Sequence, residues 1–401
     1  MFEANEVFPL DCYLKIWLSA DKQLERFRLA QFRQADDLPP AWDLITQENP
    51  LASREHLAAL ENASEGLTCY YFILFEENTS VACFYFQLIT LSRRNYDKFS
   101  EKKWLDGLFG HYINHRKYGL LTCGSLFHNY FQGVFVTKNA PPNLVLRALC
   151  RAIDKIRRTK KVSAILIKDA SSQIQELLSV DSEGFTKLPQ DISMEMEIPE
   201  SWQTFLDYRS SLTSKYAARV RKTQQSLGSV TRREITSSEL PDYQQKIHEL
   251  YLQLVQKQSI RIGIVQQDYW YSLKQHLAEN FIIYGYFIDN KLIAFSTTYN
   301  LPSHFEVHYI GFDTILNQQY SLYFNILLDA VSDAIQKRAK KLILGRTALE
   351  AKAIVGCKPK TLCNLLRTHS NLLAWSIELF YEWFQQGQND NWKNRNPFKN
   401  N

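Results

Sequence analysis

Several large protein classes are excluded by what this sequence lacks. No apolar run approaches the ~18 residues a helix needs to span a bilayer. The longest candidate, residues 372–384, is broken by Glu378 and Glu382, and it predicts an amphipathic C-terminal helix instead. The N-terminus, MFEANEVFPLDC, has no basic stretch leading into an apolar one, so no secretory leader is expected. Of the 7 cysteines (Cys12, Cys69, Cys83, Cys123, Cys150, Cys357 and Cys363), no pair stands at metal or redox spacing. Several lie in apolar runs, as Cys83 does in VACFYF; buried, reduced thiols and a cytoplasmic setting are expected. Charge of either sign is not in strong excess. A net charge of +5 permits anionic partners without requiring nucleic acid. Low-complexity sequence is absent apart from a polar tail, 387–401.

What is present is enough for more than one core. The 401 residues exceed the ~250–300 at which a single core stops growing, so two domains are expected. Two hairpins stand out. In 68–91, LTCYYFILF and VACFYFQLITL flank EENTS; in 281–300, FIIYGYF and LIAFSTTY flank IDNK. β-Branched and aromatic residues around an Asn-containing turn are the usual hairpin signal. After each hairpin the order repeats. The first half continues with a strand at 120–136, a helix at 143–159 and the strand VSAILIK at 162–168. The second continues with HFEVHYIGF at 304–312, a helix at 321–337 and LILG at 342–345. The first half carries an additional Arg-, Lys- and aromatic-rich segment, 92–118, read as a loop with a short helix. The pattern predicts an α/β fold with mixed (α+β) sheets in two similar halves, 1–198 and 199–386, joined near Pro199.

This order of elements resembles the GNAT acyltransferase fold, and its duplication resembles the tandem-domain Fem-type peptidyltransferases and the peptidoglycan-biosynthesis-like acetyltransferases. The stretches that carry the resemblance are GRTALEAKAIVGCKP at 345–359, the basic run SLTSKYAARVRKTQQSL at 211–227 and NPLASREHLAALENA near the start. The resemblance implies two GNAT-like domains in tandem and transfer of an acyl group from a thioester, acyl-CoA, to a small-molecule or peptide amine. It also implies two alternatives: aminoacyl transfer from tRNA, and a degenerate, binding-only protein. GNAT enzymes that use acyl-CoA hold its pyrophosphate on a glycine-rich loop at a helix N-terminus, where backbone N–H groups and the helix dipole favour an anion. The matching stretch here, NQQYSLY at 317–323, has no glycine; Gln318, Gln319 and Ser321 are the residues placed to bind CoA. Fem-type proteins that take aminoacyl-tRNA also lack the full loop.

Other candidates follow from the residues themselves. Arg346 and Lys352, with Thr347 and Glu350 between them, follow a strand where an open sheet has its crevice. A planar fork and a mobile point charge at that spacing suit one phosphate or carboxylate. The alternative is a solvated helix start, with Lys352 exposed and Glu350 as the partner of either cation. His304, Glu306 and His308 alternate on one strand, and acyl transfer to an amine needs a base of that kind. His308, beside the apolar YIGF, is the favoured base, with Glu306 next. With no third ligand in view, no metal is expected. Tyr323, opening the following helix, is a candidate acid for the leaving group. Arg209, Lys215, Arg219, Arg221, Lys222, Arg232 and Arg233 read as one basic helix that suits a polyanion such as tRNA. The C-terminal helix, followed by WKNRNPFKNN, allows contact with a membrane surface.

Overall fold

The computed structural model describes residues 16–17, 26–91, 118–179, 184–188, 191–258, 261–368 and 393–399. The expectations for segment 92–117, the helix at 372–384, most of the tail and Cys12 lie outside the described residues. The chain forms two compact units. Among the described residues the first takes 16–187 and 363–368, and the second takes 188–362 and 393–399.

In chain order the first unit contains β1 (Ile16–Trp17), β2 (Phe27–Phe32), α1 (Ala41–Thr46), α2 (Arg54–Glu61), β3 (Leu67–Glu76), β4 (Thr79–Leu91), β5 (Tyr118–Cys123), β6 (Val134–Val136), α3 (Pro142–Thr159), β7 (Ala164–Ile167), α4 (Ser172–Ser179) and β8 (Thr186–Lys187). The second contains β9 (Asp191–Glu197), α5 (Phe205–Ser211), α6 (Ser214–Ser226), β10 (Thr231–Glu234), α7 (Leu240–Val255), α8 (Tyr269–Leu277), β11 (Phe281–Ile288), β12 (Lys291–Asn300), β13 (Phe305–Phe312), α9 (Leu316–Tyr320), α10 (Leu322–Gln336), β14 (Lys341–Gly345), α11 (Leu349–Ile354) and β15 (Lys358–Leu362). A last strand, β16 (Leu365–Thr368), returns to the first unit.

The two sheets share one strand order. The first runs β1-β2-β3-β4-β5-β7-β16-β8, and the second runs β10-β11-β12-β13-β14-β9-β15. Strand by strand, β2 to β5, β7 and β8 stand where β10 to β14 and β15 stand. The expected repeat of two mixed α/β halves is therefore present. Each sheet also takes one strand from the sequence flanking the other half. β16 pairs antiparallel with β7, and β9 pairs antiparallel with β14 and β15. The strand ISMEMEI at 192–198, which falls within the first half of 1–198 expected above, thus belongs to the second sheet. Its alternation is that of a one-sided strand: Met194 and Met196 point into the second core, while Glu195 and Glu197 reach Lys341.

Each core lies between its sheet and one long helix. In the first unit Phe72, Phe84, Phe86 and Leu121 meet Val145, Leu149, Ile153 and Ile156 of α3. In the second unit Phe305, Leu342 and Leu344 meet Leu327, Leu328, Val331 and Ile335 of α10. The three-to-four spacing of these helical positions puts them on one face. The described cysteines are all free thiols. No helix among the described residues is long and apolar enough to cross a membrane.

Candidate functional site

The parting of a parallel strand pair locates the site. In the first unit the parallel pair β5–β7 is joined from Leu120↔Ala164 to Cys123↔Ile167, and the edge of β4 is then continued by β6, which pairs with β4 and not with β7. In the second unit the parallel pair β13–β14 is joined only at Phe305↔Leu342 and Glu306↔Ile343. Beyond that point β13 runs on to Phe312 and β14 to Gly345 without pairing. The arms of the second sheet therefore part, leaving His308 on one and the 345–352 segment at the end of the other.

The β13 arm is shaped by a bulge. Ser296 pairs with Ile310 but Thr298 pairs with Val307, so β13 holds one more residue than β12 across this span. Thr297 closes the gap, its hydroxyl accepting from Tyr309 N–H at 2.9 Å and donating to Tyr309 O at 3.2 Å. A bulge re-aims side chains. Here it turns both His308 and Tyr309 toward α8, with their rings 4.4 Å apart. His308 Nε2 lies 2.8 Å from the Tyr269 hydroxyl. Tyr269 is hydrogen-bonded in turn to Tyr299, and the Glu306 charge acts on both tyrosines. Burial holds both phenols well above their ordinary range. Glu306 is fully buried. Its Oε2 stands 3.4 Å from His304 Nε2, and His304 Nδ1 lies 2.8 Å from the exposed Ser303 hydroxyl. His304 thus touches Glu306, while His308 is linked to Tyr269 and through it to Tyr299, on both of which the Glu306 charge acts. Tyr269 and Tyr299, which supply the links, were not singled out by sequence reasoning. Tyr299 faces Glu306 in the β12–β13 register, while Tyr269 arrives from α8 with no local signal.

On the other arm, positive φ at Gly345 (76°) and Gly356 (107°) turns the chain at either end of the motif. Arg346 Nε donates to Asp191 Oδ2 at 2.8 Å. Glu350 pairs with Arg395 at 2.5 Å, and so with neither Arg346 nor Lys352. Thr347 is exposed. Lys352 departs from the exposed cation expected: it is 5% exposed. Among the described residues its ammonium has no carboxylate or hydrogen-bond partner. Burial, opposed by nearby Cys357 and reinforced by the Arg346 charge, pulls its amine down to about 7.

The residues placed for CoA form a helical turn, α9. Asn317 N–H donates to Asp313 O, Gln318 N–H to Ile315 O and Ser321 N–H to Asn317 O. Tyr323 N–H, in the first turn of α10, is taken by Asn317 Oδ1 at 2.9 Å. Gln318 and Gln319 are exposed. A pyrophosphate nest needs free converging N–H groups; those of Asn317, Gln318, Ser321 and Tyr323 are already bonded. Tyr323 packs its ring on Phe312 and Phe324, and burial pushes its hydroxyl upward.

The basic run is shorter than expected. Only Lys215, Arg219, Arg221 and Lys222 lie on α6, all exposed. Arg209 is on α5, and Arg232 and Arg233 are on β10. Arg232 is committed to Asp329 and Asp333 of α10, and Arg233 to Glu239. Among the described residues, no group of three or more His, Cys, Asp or Glu side chains could hold a metal ion.

No protein-family model matches the sequence, and no curated protein matches it. Among solved structures, FemX is similar over 84% of this chain and 97% of its own, at 10% identity and a TM-score of 0.52. A tandem GNAT protein from the clavulanic acid biosynthesis pathway is similar over 86% of this chain and 99% of its own, at 7% identity and a TM-score of 0.52. At these identities the likeness is one of fold. The chain carries two GNAT-like domains in tandem, with α/β architecture throughout.

Proposed function

We propose, from a tandem GNAT fold in which the second sheet opens beside His308 and the 345–352 segment, that the second unit is an N-acyltransferase and that its chemistry takes place where β13 and β14 part. The carrying observation is that opening, held by a buried polar chain on one arm and a cationic segment on the other. An acceptor amine attacks the carbonyl carbon of an activated acyl group. A base must take the proton the amine sheds, and the leaving oxygen or sulfur must depart with a proton. His308, half-buried and backed by Tyr269, supports the role of base. Arg346 and Lys352 support binding of an anionic part of the donor, by a charge-assisted contact in a site of low dielectric.

Two donors share this chemistry. The bonded N–H groups of Asn317, Gln318, Ser321 and Tyr323 leave fewer donors for the pyrophosphate of acyl-CoA, and the exposed cations of α6 suit a phosphodiester backbone. The reading supported best is therefore transfer of an aminoacyl group from tRNA to a small-molecule or peptide amine. The test is an acyl-transfer assay in which labelled aminoacyl-tRNA pools and acyl-CoAs are offered beside mixed amines. We expect amine-dependent release of label from tRNA, lost by at least a hundredfold in His308→Asn. Release from acyl-CoA alone would move the assignment to the CoA-dependent class. Tight binding with no transfer from either donor would make the protein a binding-only member.

A further inference from the structure

Residues 393–399, within the stretch read from sequence as a polar tail, lie on the second unit. Their backbone runs antiparallel to the turn between α5 and α6, with Leu212 bridged to Phe398. Thr213 N–H donates to Pro397 O and Lys399 N–H to Ser211 O, each at 2.9 Å. The Lys399 ammonium donates to Ser210 O at 2.8 Å. So anchored, the segment sends two side chains to the 345–356 motif, one to each end of α11. The Arg395 guanidinium donates to Glu350 Oε1 through Nε at 3.1 Å and Nη2 at 2.5 Å. The Phe398 ring lies over Gly356, where a Cβ would stand 2.3 Å from the ring's Cζ. With φ at 107° as well, a side chain at that position would be strained.

The ring is itself fixed from α5. Tyr208 is fully buried, with its ring centroid 6.3 Å from that of Phe398, and its hydroxyl donates to Val355 O at 3.0 Å. The α11 helix has only 6 residues, fewer than a helix needs to hold its own shape. Its position is set by what grips it. Gly356 N–H and Cys357 N–H close back on Ala353 O and Lys352 O, at 3.1 and 3.0 Å. The ring on Gly356 therefore bears on the turn that carries Lys352, and the ion pair bears on the turn where α11 begins.

We infer that Arg395 and Phe398 are positioning residues: segment 393–399 is a strap that fixes α11 and so keeps the Lys352 side chain buried at the open end of the second sheet. The strap is anchored on the turn that leads into α6, so the exposed cations of that helix and the buried cation of the motif share one frame. What this does for donor binding rests on the proposed function; the grip on α11 does not. Loosening the strap has a consequence of definite sign. Burial is what favours the neutral amine of Lys352, and Glu350 stripped of Arg395 leaves a carboxylate two residues away. Water reaching the amine and a charge no longer neutralised both favour the ammonium.

The experiment follows the side-chain carbon-13 signal of Lys352 through a pH titration of the full chain, assigned by comparison with Lys352→Met. The parent is expected to titrate at about 7. Phe398→Ala and Arg395→Gln are each expected to raise that midpoint by about one pH unit or more, while Arg395→Lys, which keeps the charge, stays near the parent. Lys399→Ala, which removes an exposed charge from the same segment, should leave the midpoint in place. Affinity for a tRNA acceptor-end fragment should begin to fall at a correspondingly higher pH in the two loosened variants. If Phe398→Ala fails to fold, Arg395→Gln alone decides. A midpoint unmoved in the loosened variants, or moved as far by Lys399→Ala, overturns the inference. Midpoints that shift as expected in a protein that neither binds the fragment nor transfers an acyl group would overturn the proposed function and leave the strap standing.

Discussion

Lys352→Met should stabilise this protein, and should do so most at low pH. A lysine in water titrates at 10.5, whereas burial holds Lys352 at about 7. That difference, at 1.36 kcal/mol per pH unit, is about 5 kcal/mol of unfavourable free energy whenever the folded state must carry the buried charge. The sign follows from proton counts. Between pH 7 and 10.5 the unfolded chain binds the proton and the folded chain does not, so stability rises with pH across that window. Below pH 7 both states are protonated and the full cost is present. By pH 9 a little over half of it, roughly 2–3 kcal/mol, has been relieved. Met fills a similar volume with no charge and removes the whole dependence. Urea titrations of parent and variant at pH 6, 7.5 and 9, compared at constant m-value, measure this. The variant should be more stable by several kcal/mol at pH 6, and its advantage should shrink by roughly 2–3 kcal/mol at pH 9. An advantage that does not vary with pH, or a variant less stable than the parent at pH 6, would refute the reasoning, because either would mean that Lys352 is solvated or paired.

The same amine sets the pH dependence of binding. An anion selects the protonated form, so affinity for a tRNA acceptor-end fragment should fall up to tenfold per pH unit above about 7, and calorimetry should find no such fall in Lys352→Met. Arg232 offers a contrast, since it sits between Asp329 and Asp333 with its guanidinium 3.6 Å from the Tyr284 ring centroid. Arg232→Met strands two largely buried carboxylates and should cost about 3–5 kcal/mol in urea titrations at pH 7.5. Burial already raises Asp329 to about 6, and a protonated carboxyl needs no counter-charge; the loss should therefore be smaller at pH 5.

Much of the fold is legible because it is local. The hairpins β3–β4 and β11–β12 announce themselves by alternation and by their Asn-containing turns, and the helix after each by its three-to-four spacing. The Met/Glu alternation of β9 identifies a strand with one buried face. Which sheet takes that strand is a long-range matter, since β9 pairs with β14 and β15 far along the chain. The basic run contains a stop signal. Gly228, at φ 55°, ends α6, and the cations beyond it belong to a strand. Lys352 was illegible for a different reason. A cation two residues from Glu350 on a short helix looks like a solvated pair; only the tertiary structure sends Glu350 to Arg395 and leaves the amine in the core.

The comparison between halves carries the functional argument beyond any one residue. Because the two sheets have the same strand order, the first serves as an internal reference for the second. At the end of β5 the chain folds back through Gly124 and Gly133, where backbone atoms are packed too closely for a Cβ, and returns as β6 beside β4. β13 covers both stretches as one strand: it is joined to β14 as far as Glu306, and beyond that point a bulge re-aims His308 and Tyr309. A fully buried carboxylate and a buried lysine are both costly. Their presence on either side of the open pair marks that opening as a place where charge must be managed, which is what acyl transfer to an amine requires.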